Sequence, residues 1–71
     1  MLLTMVNAGR RVRIMAVDAG RKLQSHLASM GLVPGVEIEV ISGNCRGSFI
    51  VALEGRRMIL GQGMVNKIIV A

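Results

Sequence analysis

The stretch Arg21-Lys-Leu-Gln-Ser-His-Leu-Ala-Ser-Met-Gly-Leu-Val-Pro-Gly-Val-Glu-Ile-Glu-Val-Ile41 places a helix, a turn and a strand in immediate succession. From Arg21 to Met30, Leu23, Leu27 and Met30 recur at the i, i+4, i+7 spacing of a single helical stripe, with Gln24, Ser25 and Ser29 on the wet side. Gly31 stands where a helix commonly ends on a left-handed residue, a conformation that costs glycine little because it has no Cβ. Val33-Pro34-Gly35 then signals a chain reversal, since proline presets the second turn position and glycine tolerates positive φ at the third. Val36, Ile38 and Val40 alternate with Glu37 and Glu39, so Val36 to Ile41 is a strand with its apolar face inward.

Outward from this unit, Arg11 to Val17 reads as an earlier strand, with Val12, Ile14 and Ala16 on one face and Arg11 and Arg13 on the other. On the C-terminal side, Ser42-Gly43-Asn44 opens a loop that runs to Gly47. Phe49 to Glu54 and Arg56 to Leu60 form a hairpin about Gly55, and Lys67 to Val70 is a terminal strand. The connection from Gly61 to Asn66 has room for a short helical turn only. Five short strands with one helix inserted after the first predict a mostly β chain and a small, partly open barrel, because closure protects edges that a small sheet leaves bare. Ile41, Ile50, Ala52, Ile59 and Ile69 fall on the nominally outward faces, so the helix or a partner is expected to cover part of them.

With 71 residues the chain is expected to be one domain, residues 1–71, too small to hold both a core and a deep catalytic cleft. Hydrophobic residues make up 52% and charged residues 18%, which argues against disorder, yet Phe49 is the sole aromatic. Aliphatic side chains and six methionines must therefore fill the interior. Apolar runs are strand-sized, far short of the roughly 20 residues that span a bilayer. The arginines at positions 10, 11 and 13 follow the first apolar segment, the wrong order for a signal peptide, so a cytoplasmic location is expected. A single cysteine forms no internal disulfide and agrees with a reducing compartment.

Catalysis needs a nucleophile with a base, or paired acids, and the inventory here is thin. His26 sits at the border of the apolar helical stripe with no second histidine, and a transition-metal site requires three or four ligands. Cys45 beside Arg46 has a cation to favour its thiolate but no base or resolving cysteine. Glu37 and Glu39 could offer oxygens to a cation, although two acids separated by one residue are ordinary strand alternation. These four are the only metal candidates, and no cofactor motif accompanies them: Gly61-Gln-Gly63 lacks the Lys-Ser/Thr of a phosphate cradle. The net charge of +5 suggests an anionic partner, whether nucleic acid, phospholipid headgroups or an acidic protein surface, and a solvated, solubilising face accounts for it equally well. Arg10, Arg11, Arg13, Arg21 and Lys22 would suit nucleic acid, but single-strand binding on a small barrel also uses stacked aromatics, and Phe49 is alone. The same basic face would draw the protein peripherally to an anionic leaflet.

Taken in order, these landmarks resemble the FeoA family. The helix ending in Met30-Gly-Leu-Val-Pro-Gly35 is similar to that family's basic, leucine-containing helix and "mGl.pG" turn. Gly55-Arg-Arg-Met-Ile-Leu-Gly-Gln-Gly-Met-Val-Asn-Lys-Ile-Ile-Val70 resembles its closing "ALgrgmA" and "kI.V" segments, with Val65 where alanine is usual, and Leu3 to Gly9 is similar to its opening. The resemblance covers about residues 3–70. It implies an SH3-like barrel acting as a non-enzymatic, cytosolic accessory protein of ferrous-iron uptake. It also implies docking on the cytosolic part of FeoB, the membrane iron transporter bearing a GTPase domain. The contact surface expected on this reading is the helix and its turn: Arg21, Lys22, His26, Leu27, Met30, Gly31 and Leu32, with Met64 beside them. Two other functions compete with it, a transition-metal sensor and a basic nucleic-acid-binding barrel, and the exposed apolar strands leave a homo-oligomer open.

Overall fold

A computed structural model describes the chain apart from residues 46 and 47 and the side chains of residues 44–48. A 3-10 turn over Leu3–Met5 precedes β1 (Arg11–Val17) and α1 (Arg21–Ser29). Three strands follow, β2 (Glu37–Cys45), β3 (Ser48–Leu53) and β4 (Arg56–Gly61), then the single turn α2 (Gln62–Val65) and β5 (Ile68–Val70). All pairings are antiparallel and the sheet order is β4-β3-β2-β1-β5. The chain is mostly β, five strands with the one substantial helix after the first, as the spacing predicts. The sheet remains open, since β4 and β5 end it without pairing with each other.

The unit that decides the fold forms as its residues dictate. The Leu32 N–H donates to the Leu27 carbonyl and the Gly31 N–H to that of Ala28, each at 2.9 Å, with Gly31 at φ +87°. This is the Schellman ending, and its usual apolar contact is present because Leu27 and Leu32 are both in the core. The Val36 N–H then donates to the Val33 carbonyl at 3.2 Å with Gly35 at φ +96°, the turn that proline followed by glycine prefers. Backbone bonds from Gly35 to Ile14 and from Ile14 to Val36, 2.7 and 2.8 Å, lock that turn onto β1. At the other end, the Gln24 side-chain amide donates to the carbonyls of Val17 and Ala19, at 3.1 and 3.0 Å. A helix of nine residues with no side-chain N-cap is thereby anchored at both ends.

Three details depart from the sequence reading. The register of β1 against β5 shifts between Ile14 and Ala16, so Met15 is an extra residue and the strand changes phase. Val12 and Ile14 are buried as expected, whereas Ala16 is exposed and Val17 takes the inward position. Instead of a loop from Ser42, β2 continues to Cys45, with register shifts after Val40 and after Ser42. Gly43 permits this: a Cβ there would lie 2.7 Å from the Phe49 ring, so the lone aromatic packs against bare backbone. Leu3, which opens the 3-10 turn, and Val6, which follows it, are also core residues. They join Val12, Ile14, Leu27, Ile38, Val40, Phe49, Val51, Leu53, Leu60, Val65, Ile68 and Val70, with half-buried Met30, Met58 and Met64 packed against them.

Candidate functional site

The helix presents two different flanks once Leu27 is turned into the core. Arg21, Gln24 and Ala28 succeed one another at i, i+3, i+7 on one flank, and Lys22, His26 and Met30 at i, i+4, i+8 on the other. The first flank faces a groove of about 360 Å³ lined by Met15, Val17, Gln24, Ala28, Val33 and Pro34, with Leu32 at its base. Apart from Gln24, the residues that line it have apolar side chains. Met15 is 54% exposed and Val33 36%, two of the six large hydrophobics exposed among the described residues and the two that meet in one groove. Both exposures have local causes: the β1 bulge turns Met15 outward, and the Pro34-Gly35 turn holds Val33 at its rim.

The expected contact surface is thus divided. Leu27 and Leu32 are core side chains, 0% and 1% exposed, and offer no free surface beyond the part of Leu32 at the groove base. Gly31 carries the helix ending, Met30 and Met64 are half-buried, and Arg21, Lys22 and His26 are exposed. Sequence reasoning missed Met15, Ala28 and Val33 as surface features. The only available signal was Val33 beside an obligatory turn, because the bulge that turns out Met15 is set by the pairing of β1 with β5.

A second groove, about 490 Å³, opens over β2 and β3 and holds Arg11, Glu37, Glu39, Ala52 and Glu54. Arg11 Nη1 lies 3.9 Å from Glu37 Oε1, with both side chains more than half exposed, so the pair contributes little. Of the metal candidates, His26 is on α1, away from this groove, and its carbonyl accepts a bond from Ser29 Oγ at 2.6 Å. Glu37 and Glu39 share a strand face, and the Cys45 side chain lies outside the described residues. Among the described residues, no group of three or more His, Cys, Asp or Glu side chains is close enough to hold a metal ion. No helix among them is long and apolar enough to cross a membrane.

Comparison with known proteins gives a consistent result. A solved FeoA, described as an iron uptake regulatory protein, superposes with a TM-score of 0.90 at 27% identity, covering 99% of this chain and 93% of that one. Iron(II) transport protein A from Clostridium thermocellum gives 0.88 at 27% identity, covering 99% of this chain and 44% of the other. A manganese-dependent transcriptional repressor shares the fold at a TM-score of 0.85 and 20% identity, with 96% of this chain matching 39% of that one. Curated protein sequences give no match. The model of the FeoA domain matches residues 1–71, and the chain belongs to the FeoA family.

Proposed function

We propose that this chain is a non-enzymatic accessory protein of ferrous-iron transport, acting in the cytosol by docking on the cytosolic part of a FeoB-like membrane transporter. Family membership supports the iron-transport role, and the absence of a nucleophile–base or paired-acid constellation in the sequence supports binding over catalysis. The observation that carries the docking surface is the apolar groove beside α1, with exposed Met15 and Val33 at its walls and Arg21 one turn up the same helical flank. Apolar area with a cationic rim is what a transient interface on an acidic partner surface requires. The flank bearing Lys22, His26 and Met30 is the competing contact on the same helix.

Titration calorimetry against the transporter's isolated cytosolic domain separates the two flanks. Ala28→Glu and Met15→Glu place a charge in the groove at exposed positions and leave the core intact. Each is expected to weaken binding about tenfold or more, the cost of burying an unpaired carboxylate at an interface. Lys22→Glu and His26→Glu are expected to change it by less than about threefold. The reverse ranking would move the surface to the other flank, and wild-type protein that gave no heat would remove the docking reading.

A further inference from the structure

The two edges of the open sheet are treated differently. At the β5 edge the N-terminal residues add a partial strand: Leu2 bridges to Ile69, the Val70 N–H donates to the Met1 carbonyl at 2.7 Å, and the Met1 amino group donates to the Val70 carbonyl at 3.1 Å. Among the described residues the β4 edge has no such cover. Its hairpin with β3 turns through Glu54 and Gly55, both at positive φ (51° and 81°), which is the two-residue turn that matches strand twist. In that hairpin the pair flanking the turn, Leu53 and Arg56, exchanges backbone bonds, and bonded pairs then alternate through Val51 with Met58 and Phe49 with Leu60. The N–H and C=O groups of Arg57 and Ile59 therefore point to the free side, and among the described residues no turn or loop backbone bonds to them.

Edges of this kind are normally blunted by a proline, a bulge or a covering segment. β4 has no proline, and its pairing with β3 runs through six successive positions without a shift, whereas the pairings of β1 with β5 and of β2 with β3 are both bulged. On the outward face, Ile59 is 71% exposed, the most exposed large aliphatic among the described residues, and lies opposite half-buried Ile50. Arg57 is two residues away on the same face, and neither it nor Arg56 has a carboxylate within ion-pair distance among the described residues. A regular, open edge thus presents an apolar spot next to unpaired guanidinium charge.

We propose that β4 accepts an extended acidic segment of another protein as an added strand, with a carboxylate beside Arg57 and an apolar side chain two positions away over Ile59 and Ile50. Backbone bonds to Arg57 and Ile59 give the affinity and the alternating side chains give the selectivity. Charge decides the occupant. A second copy would bring together two chains of net charge +5 and two Arg56–Arg57 pairs, whereas an acidic strand neutralises them. The site is on the sheet edge and shares no residue with the groove beside α1, so it stands whether or not that groove binds the transporter.

The test uses the full chain, uniformly labelled with nitrogen-15, and three blocked heptapeptides: Thr-Glu-Thr-Val-Thr-Glu-Thr, which sets glutamate and valine two positions apart on one strand face, its counterpart with lysine for glutamate, and the glutamate peptide N-methylated at its glutamate and valine residues. The glutamate peptide is expected to shift the Arg57 and Ile59 amides and to slow their exchange with solvent. It should bind about tenfold more tightly than the lysine peptide, the combined effect of gaining an opposite-charge cross-strand pair and avoiding a like-charge one. Arg57→Glu, at an exposed site, is expected to reverse that preference, and methylation of the bonding face to abolish binding. Equal binding of the methylated peptide, or shifts confined to Ala28 and Val33, would overturn the proposal. Concentration-dependent shifts of Arg57 and Ile59 without peptide, with a dimer by sedimentation, would overturn it in favour of a second copy.

Discussion

Replacing Gly31 by alanine tests the helix ending quantitatively, because the structure separates two costs there. The first is conformational: Gly31 has φ +87°, and an L-residue in the left-handed region costs about 1 kcal/mol or slightly more. The second is steric. A Cβ at Gly31 would stand 3.0 Å from Leu53 Cδ2, and Leu53 is a core side chain on β3 with little freedom to withdraw. Overpacking of that kind costs typically about 1–3 kcal/mol, so Gly31→Ala is expected to lose roughly 2–4 kcal/mol in all. Gly35 is the internal control. Its φ is +96° and the space around its Cα is open, so Gly35→Ala carries the conformational cost alone, about 1 kcal/mol. Urea unfolding followed by circular dichroism measures both from the shift in midpoint at constant slope. At roughly 4–8 °C per kcal/mol for a domain of this size, the Gly31 variant should melt at least about 4–8 °C below the Gly35 variant. Equal losses at the two sites would refute the steric account of the contact between α1 and β3.

The remaining predictions use the same unfolding assay. Gly43→Ala should lose about 1–3 kcal/mol, because its Cβ would meet the Phe49 ring at 2.7 Å, and near-ultraviolet absorption of that single aromatic should report the displacement. Leu27→Ala is expected to cost about 2–5 kcal/mol as a core truncation, while His26→Ala beside it changes stability by less than about 0.5 kcal/mol. Gln24→Ala removes the two side-chain bonds to Val17 and Ala19 and should cost about 0.5–1.5 kcal/mol, with faster amide exchange in the first turn of α1. Each ranking fails if the exposed control proves as costly as the buried position.

The helix, its ending and its turn were legible in the sequence because glycine and proline report backbone geometry directly. Gly31 and Gly35 have the positive φ their neighbours call for, and Leu23, Leu27 and Met30 face the core as their spacing requires. The phase of β1 beyond Ile14 was not legible. A bulge is a property of two strands, and nothing within Arg11–Val17 announces that β5 will meet it one residue out of step. The extension of β2 through Gly43 was hidden for a similar reason, since Ser-Gly-Asn is loop-like composition and its strand conformation depends on the distant Phe49 ring. Leu3 and Val6 fall in a turn too short to show a period. The same blindness limited the candidate site. Arg21, Lys22 and His26 were correctly read as accessible, but Leu27 and Leu32 are spent on the core, and the groove beside α1 depends on the bulged Met15.

The pairing of Met1 with Val70 also bears on how the molecule is made. These residues are 69 apart in sequence, and β1, early in the chain, has β5 as one of its two neighbours. Bringing such distant segments together costs loop entropy before their contacts repay it, which slows folding relative to a helical protein of equal length. Of the five strands, the last to leave a ribosome is the one that completes the sheet beside the first. The sheet is therefore finished as a late event, after nearly all of these residues have emerged. Until then β1 keeps a bare edge, and substitutions in β5 should lower the yield of soluble protein more than their effect on the folded state suggests.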